Sequence, residues 1–414
     1  MYLIISKLMK ANFVFALFGL AISVILAREL GPLLKGELTL FLLVSSIVSL
    51  VMRFGLDTAI IRFIKKKGES FALVCHSIYL AVTIIFSLLL LLFLATNYFE
   101  IISNFFDNQK YYYFLYLLIP LEVVGILIAS YFLGSGQITK YSISIVSQPF
   151  VMLIMLIVLL VFKIDFSLWN VIIFIVISFL TKSIYLVLET RHLFALFGSY
   201  NLRKSLDLFR FGLKSHIGNV MDFFIIRTDI LLISFFIGIE AVGIYSIAAL
   251  AEKVNIISNS VGSAVLSKIK SSEDADLVNK VLRLTLPILL VIIFLTYISS
   301  EYFIIFLFGD SFQDAAQPFI ILIIGFSILF ISKPIKAYLV VIDKPILLTQ
   351  ASTLSLAFNL SLNFLLIPIY GLKGAAVATA IANTVYVLFL LYYYKKNTEG
   401  NLKSILFLRK SDFK

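Results

Sequence analysis

The sequence predicts an all-α polytopic membrane protein, with twelve transmembrane helices in two parallel six-helix lobes. Three observations predict it. The 414 residues are 61% hydrophobic and only 14% charged, whereas a soluble domain carries roughly 45–50% apolar and about 25% charged residues. The apolar residues form continuous runs close to the roughly 20 residues that a helix needs to cross a bilayer. Lys and Arg crowd into alternate loops between those runs, as they do on the cytoplasmic side of a membrane.

The first run, 10–27, follows Lys7 and Lys10 and ends at Ala27. A signal peptide shares that outline, but eleven further runs point to an uncleaved first helix. Run 37–62 carries Arg53 and Asp57, and run 71–95 ends in LLLLLFLA. Run 111–134 opens on Tyr111 to Tyr113 and holds Glu122. Run 141–162 ends in VMLIMLIVLLVF, and 168–189 opens near Trp169 and holds Lys182. The second set is 212–237, 243–266, 284–307, 316–338, 347–368 and 374–394, the last closing on Tyr392 to Tyr394. Tyr and Trp at span ends suit interfacial anchors. A membrane barrel is excluded, because its strands alternate apolar and polar residues over about ten positions. The expected organisation is an N-terminal lobe at 1–195, a cytoplasmic linker at 196–211, a C-terminal lobe at 212–394 and a basic tail at 395–414.

With the N-terminus inside, the cytoplasmic segments hold 25 Lys and Arg residues. The external loops hold five: Arg28, Lys35, Lys110, Lys163 and Lys373. Both termini are therefore expected in the cytoplasm. The asymmetry accounts for the net charge of +11 without any nucleic acid. A single cysteine, Cys75, allows neither an intramolecular disulfide nor a cysteine-based metal site. The three histidines, His76, His192 and His216, lack metal-ligand spacing. No P-loop, zinc-protease or nucleophile-elbow motif occurs, and the short external loops carry few carboxylates. Neither catalysis nor a cofactor is expected.

The two halves echo each other. Gly31-x4-Gly36 recurs as Gly238-x4-Gly243, 207 positions later. Leu38-Thr39-Leu40 corresponds to Tyr245-Ser246-Ile247, and Tyr131 to Tyr338. Transporters are commonly built from such repeats, with the substrate site at the repeat interface near mid-membrane.

An ionisable residue at mid-bilayer costs ~2.5–3.5 kcal/mol on insertion scales and usually faces a bundle interior or an aqueous cavity. A continuous helix over 37–64 would be about 42 Å long, which places Arg53 inside it. Arg53 then either snorkels to the inner interface or is neutralised by Asp57, its i,i+4 neighbour. Span seven is the most polar, with His216, Asn219, Asp222, Arg227 and Asp229. Asn219, Asp222 and Asp229 fall within about 80° of one helix face, and Arg227 lies nearly opposite Asp222. These groups either pair structurally or line a cavity. Glu122, Lys182 and Lys253 are further intramembrane charges, the two lysines being candidates for snorkelling. Asn255, Asn259, Asn359, Asn363 and Asn383 either line a polar route or bond neighbouring helices.

Four motifs occur in order between residues 27 and 379. They are Ala27-Arg28-Glu29-Leu30-Gly31-Pro32 with Gly36, and Thr228-Asp229-Ile230-Leu231-Leu232-Ile233 with Gly238 and Val242-Gly243-Ile244-Tyr245-Ser246-Ile247-Ala248. Then follow Phe308-Gly309-Asp310-Ser311-Phe312 with Ala315, and Asn359 to Pro368 with Tyr370-Gly371-Leu372-Lys373-Gly374-Ala375-Ala376 and Thr379. Together they resemble the multidrug/oligosaccharidyl-lipid/polysaccharide (MOP) superfamily, in its O-antigen or capsular polysaccharide flippase branch (Wzx-type).

The resemblance implies a V-shaped, MATE/MOP-like transporter in the bacterial inner membrane. It would move undecaprenyl-diphosphate-linked oligosaccharide units from the inner to the outer leaflet by alternating access to a central cationic cavity. Its partners would be that glycan, membrane lipid, and a polysaccharide polymerase with its chain-length machinery. An arginine's planar fork suits a diphosphate. Under this reading Arg53 and Arg227 form the diphosphate clamp, with Arg28 a third candidate at the external mouth. Asp222 and Asp229 keep Arg227 oriented or bind a coupling ion, and Asp57 is a further cavity carboxylate. Two alternatives stay open: a cation-coupled exporter of small amphipathic solutes from the same superfamily, and a non-transporting scaffold of a polysaccharide assembly complex.

Overall fold

A computed structural model describes residues 2–67, 112–191, 202–255, 261, 265, 275–342, 344 and 346–398. Span three (71–95), Cys75, His76, His192, Asn259 and the tail beyond 398 lie outside these residues, as does the Asp222 side chain. Every regular element described is helical: α1 Tyr2–Met52, α2 Leu56–Lys67, α3 Tyr112–Gly134, α4 Ile138–Phe162, α5 Leu168–Thr190, α6 Leu202–Phe236, α7 Ile239–Ala248, α8 Ala275–Phe308, α9 Ala316–Val341 and α10 Ile346–Thr398. Short 3₁₀ segments follow α7 at Ala249–Lys253 and precede α9 at Asp310–Ala315.

Among the described residues, seven helical stretches are long and apolar enough to cross a membrane. Two of them are too long to cross once. α1 has 51 residues and α10 has 53, or roughly 77–80 Å of helix against a hydrocarbon core of ~30 Å. Each contains a residue outside helical geometry, Gly31 in α1 and Gly371 in α10. Each therefore supplies two spans, which meet at the glycines flagged by the sequence motifs.

Span two departs from the expected continuous helix. α1 stops at Met52, and Arg53–Gly55 form a turn before α2 begins. Phe54 and Gly55 both have positive φ, at 48° and 67°. Span eight is also irregular, passing from α7 into the 3₁₀ segment. α6 starts at Leu202, so residues 202–211 of the expected linker are already helical.

The chain divides into two compact units. The first is Met1–Leu30 with Glu37–Val220, and the second is Gly31–Gly36 with Met221–Lys414. In the first, α3 packs on α2, and α5 packs on both α3 and α4. One end of this unit is polar: Lys7 Nζ donates to Thr139 Oγ1 at 3.2 Å, and Lys140 pairs with Glu189 at 2.8 Å. The other end is aromatic, with Phe114 edge-on to Trp169 at 5.0 Å between ring centres. In the second unit, α9 packs against α8 and α10. Its core includes Val278, Leu282, Ile335, Tyr338, Leu390 and Tyr394. There Tyr394 donates to Asn279 Oδ1 at 3.0 Å, satisfying a hydroxyl that burial would otherwise leave costly.

The repeated glycines belong to this second unit and pack on each other. A Cβ added to Gly36 would overlap the carbonyl oxygen of Ile239, and one added to Gly243 would overlap that of Pro32. Each motif thus opens with a positive-φ glycine, Gly31 or Gly238, and closes with one that lets the opposite backbone approach.

Candidate functional site

In the first unit the helix break gathers the charged residues of several elements. Gly212 on α6 lets its backbone come close to the break, since a Cβ there would lie 2.7 Å from Phe54 O. Arg53 ends α1 with its amide donating to Ser49 O, and its guanidinium pairs with Asp57 of α2 at 3.6 Å. The Arg53 and Asp57 side chains are 17% and 22% exposed, so the charge is screened but reachable. Ser45 donates to Glu122 of α3 at 3.1 Å. Arg53 and Lys182 are the cations that act on Glu122, so Lys182 has a carboxylate to answer rather than only an interface to reach. His216 lies against Phe54, and Asn219 donates to Thr58 at 3.3 Å. The sequence singles out the Arg53–Asp57 pair, Glu122, Lys182, and His216 with Asn219 on separate spans; the fold brings them into one unit.

In the second unit, Arg227 donates to Glu252 Oε1 at 3.2 Å. Arg227 thus has an ion-pair partner in Glu252, on the 3₁₀ segment, which the sequence did not single out. Asp229 is 5% exposed, and its hydrogen bonds go to other groups. It accepts from Tyr245 OH at 2.7 Å and from the Ile230 amide at 2.8 Å. The expected polar face of span seven is thus shared out: Asn219 serves the first unit and Asp229 the second. Arg28 is exposed on α1, just before the Gly31 kink.

A buried polar ladder runs beside Asp229. Thr379 sits against the Tyr245 hydroxyl. Asn359 donates to Thr379 at 3.2 Å, Asn363 to Asn359 at 3.1 Å, and Ser355 to Ala382 O at 2.9 Å. The bonds of Asn359 and Ser355 join the two legs of α10, so Asn359 serves the helix-joining role the sequence left open, while Asn363 bonds within its own leg. Two amide atoms stay unmatched among the described residues: Asn363 Oδ1 and, in Asn383, the donor. The Asn383 Nδ2 has no hydrogen-bond partner although the residue is only 4% exposed.

Asn383 lines a cavity of about 180 Å³ inside the second unit. α6 contributes Asp229 with Ile225 and Ile226, and the segment after α7 contributes Glu252 and Asn255. α9 contributes Leu322, Phe326, Leu329, Lys333 and Lys336, and α10 adds Ser352, Ser355, Thr379 and Tyr386. The two lysines had been counted as part of the cytoplasmic charge excess; their place in a cavity needed the tertiary fold. The cavity can hold a small polar group, since it offers donors, acceptors and both signs of charge.

Helix spans in two units, broken helices and intramembrane charges describe a multi-pass membrane protein. The computed fold is similar to a solved lipid II flippase MurJ in an inward closed conformation, with 19% identity, a TM-score of 0.69 and coverage of 95% of this chain and 89% of that one. It is also similar to an inward-facing multidrug resistance MATE family transporter of the MOP superfamily, with 13% identity, a TM-score of 0.68 and coverage of 93% and 94%. A curated relative, the probable low-salt glycan biosynthesis flippase Agl15 of Haloferax volcanii, is 24% identical over 201 residues. That match spans 47% of this chain and 43% of the relative. Residues 25–317 match the polysaccharide biosynthesis protein family, and the chain belongs to that family.

Proposed function

We propose that the protein is a flippase that moves polyprenyl-diphosphate-linked oligosaccharide units across the membrane by alternating access. The lipid tail stays in the bilayer. The glycan and diphosphate cannot cross hydrocarbon unaided, because their hydroxyls and charges would lose their hydration. The observation that supports this reading is Arg53, placed at a break within a transmembrane span of a polysaccharide biosynthesis family member. A broken helix is where transporters commonly bind ions and anionic groups.

In this reading Arg53 and Arg227 hold the diphosphate, with Arg28 in a lesser role. Asp57 and Glu252 keep the two arginines positioned until substrate competes for them. Asp229 is the candidate for ion coupling, and Asp222 stays a cavity carboxylate on sequence grounds alone. The membrane is the bacterial inner membrane, both termini face the cytoplasm, and the carrier is undecaprenyl diphosphate bearing an O-antigen or capsular repeat. A polymerase and its chain-length machinery receive the product. The small-solute exporter remains second: it expects carboxylates to dominate the cavity, whereas Lys333 and Lys336 share the second unit's cavity with Asp229 and Glu252.

The test is complementation of a strain that lacks its own flippase but makes the glycan. Intact chain, Arg53→Ala and Arg227→Ala are compared at equal membrane abundance. Surface glycan from the intact chain, reduced about 100-fold in each variant, is expected if each arginine contributes about 3 kcal/mol through charge-assisted bonds. Equal surface glycan from all three removes the arginines from the mechanism. No glycan from the intact chain, given a matched substrate, favours the exporter.

A further inference from the structure

We propose that Glu122 is a resident anion in the first unit, occupying a diphosphate site built from Arg53, Lys182 and the hydroxyls of Ser45 and Ser49, and that the substrate's diphosphate displaces it. The proposal rests on the flippase reading and adds two residues to it, a second cation and the carboxylate that competes with substrate.

Helix periodicity lays out the site. Ser45 and Ser49 lie four residues apart on α1 and share one face of it. Arg53 continues that face, since its amide still donates to Ser49 O. Both serines are buried. Ser45 donates to Glu122 Oε2 at 3.1 Å, and the Ser49 hydroxyl bonds the same carboxylate. α5 brings the second cation. Gly125 lies three residues beyond Glu122 on α3, and a Cβ there would meet Lys182 Cε at 3.7 Å and Ser183 Oγ at 3.9 Å. The lysine stem thus runs along the glycine, one helical turn from the carboxylate on which its charge acts. Ser183 donates to Leu121 O at 3.4 Å and ties α5 to α3 at this level.

Three features point to an exchangeable anion rather than to a fixed structural charge. First, two hydroxyls, a guanidinium and an ammonium serve one carboxylate within the spans. These are donors that hold phosphate, and a carboxylate is the side-chain group that best replaces it. Second, Arg53 is lightly tethered. Its Nε donates to Ser49 O at 3.3 Å, and it faces Asp57 at 3.6 Å, beyond hydrogen-bonding distance. Its fork carries more N–H groups than these contacts use. Third, His216 Nδ1 is buried near Arg53 and Asp57 and has no hydrogen-bond partner among the described residues. Buried polar atoms are normally paired, and a phosphate oxygen accepting from Nδ1–H supplies the partner. Charge gives the exchange its direction. Arg53 and Lys182 balance Asp57 and Glu122, two against two. A diphosphate that enters beside an ionised Glu122 meets a like charge where water screens it poorly. Neutralising Glu122 therefore strengthens diphosphate binding, whereas neutralising a carboxylate that only braces the helices does not.

The test uses the full chain in nanodiscs of zwitterionic lipid, titrated with pyrophosphate in a calorimeter against empty nanodiscs. Glu122→Gln is expected to tighten binding about tenfold and Lys182→Gln to weaken it about tenfold, the scale of one charge-assisted hydrogen bond. Lys182→Arg keeps the charge and should keep the intact affinity. Unchanged or weaker binding by Glu122→Gln overturns the proposal and leaves Glu122 a structural carboxylate. Unchanged binding by Lys182→Gln overturns it as well. If Glu122→Gln does not fold, the charge-balanced pair Glu122→Gln with Lys182→Gln is compared with Lys182→Gln alone, and the same tightening is expected. Absence of pyrophosphate binding by the intact chain and every variant also overturns the proposal. The complementation strain separates this result from the flippase reading. A chain that shows the Glu122 effect but exports no glycan keeps the anion site and loses the flippase. A chain that exports glycan, with a pyrophosphate affinity blind to Glu122 and Lys182, keeps the flippase and loses the site.

Discussion

Each unit of the molecule holds an intramembrane arginine against a carboxylate, yet the two pairs are built differently. Arg53 and Asp57 are four residues apart, facing each other across a turn between two helices. Arg227 and Glu252 are 25 residues apart and join α6 to the 3₁₀ segment beyond α7. The first pair is a local device that leaves the surrounding tertiary contacts to others. The second is itself a tertiary contact. The buried carboxylates also differ in their donors: Glu122 has the hydroxyls of Ser45 and Ser49, whereas Asp229 has a tyrosine and a backbone amide. The first unit thus holds its buried carboxylate by serine hydroxyls beside two cations, while the second unit fixes its own by a tyrosine and the backbone beside a cavity. The first arrangement suits a group that changes partner, and the second suits a preformed site.

The sharpest way to break the comparison is through backbone contact. Gly243 of the second unit and Gly218 of the first both sit in helices. A Cβ at Gly243 would overlap Pro32 O, while at Gly218 nothing lies within 4 Å. Gly243→Ala should therefore cost about 3 kcal/mol, the upper range for overpacking, because backbone has to move. Gly218→Ala should be neutral or slightly stabilising, since alanine favours helix by ~1 kcal/mol over glycine. Thermal inactivation of detergent-solubilised protein measures both. Equal effects would mean that the two glycine turns do not pack as described.

A smaller effect is expected from the donors to the buried carboxylates. Tyr245→Phe leaves Asp229 Oδ2 without its hydroxyl partner and should cost about 2 kcal/mol, the price of a buried acceptor left unmade. Ser45→Ala should cost less, about 1 kcal/mol, because Glu122 keeps the Ser49 hydroxyl and has Arg53 and Lys182 as countercharges. Melting midpoints in one detergent give the order. A larger loss from Ser45→Ala would reverse the contrast between a loose and a fixed carboxylate.

Much of this was legible in the sequence, and the limits have physical causes. The all-helical membrane fold followed from apolar run length. The repeated glycine motif identified turns whose backbones do meet in space. Asp57 was readable as the partner of Arg53, because an i,i+4 spacing encodes contact. Glu252 was not readable as the partner of Arg227, since no period relates residues 25 apart across a bend. The break at Arg53–Gly55 was also hidden, because hydropathy is the same for a bent and a straight span. Lys333 and Lys336 were read as loop-side charges because their distance from a helix end says nothing about which neighbour they face.

The subtlest test of the comparison is to remove each arginine's partner while keeping its shape. Asp57→Asn breaks a partly exposed i,i+4 pair, of a kind worth about 0.3–0.5 kcal/mol on helices. Glu252→Gln breaks a partly exposed pair that ties separate elements, where about 1 kcal/mol is the upper end for such geometry. The two figures are close, so single variants are a weak probe. Double-mutant cycles with Arg53→Gln and Arg227→Gln isolate the pair terms, because each cycle cancels the cost of truncating the side chain itself. A cycle energy near zero at Arg53–Asp57 beside a resolved one at Arg227–Glu252 is expected. Raising the salt should shrink both, since both pairs reach solvent. If the local pair proves the stronger, Arg53 is anchored rather than exchangeable. The diphosphate contact would then have to come mainly from Arg227, and the Arg53→Ala defect in transport should be the smaller of the two.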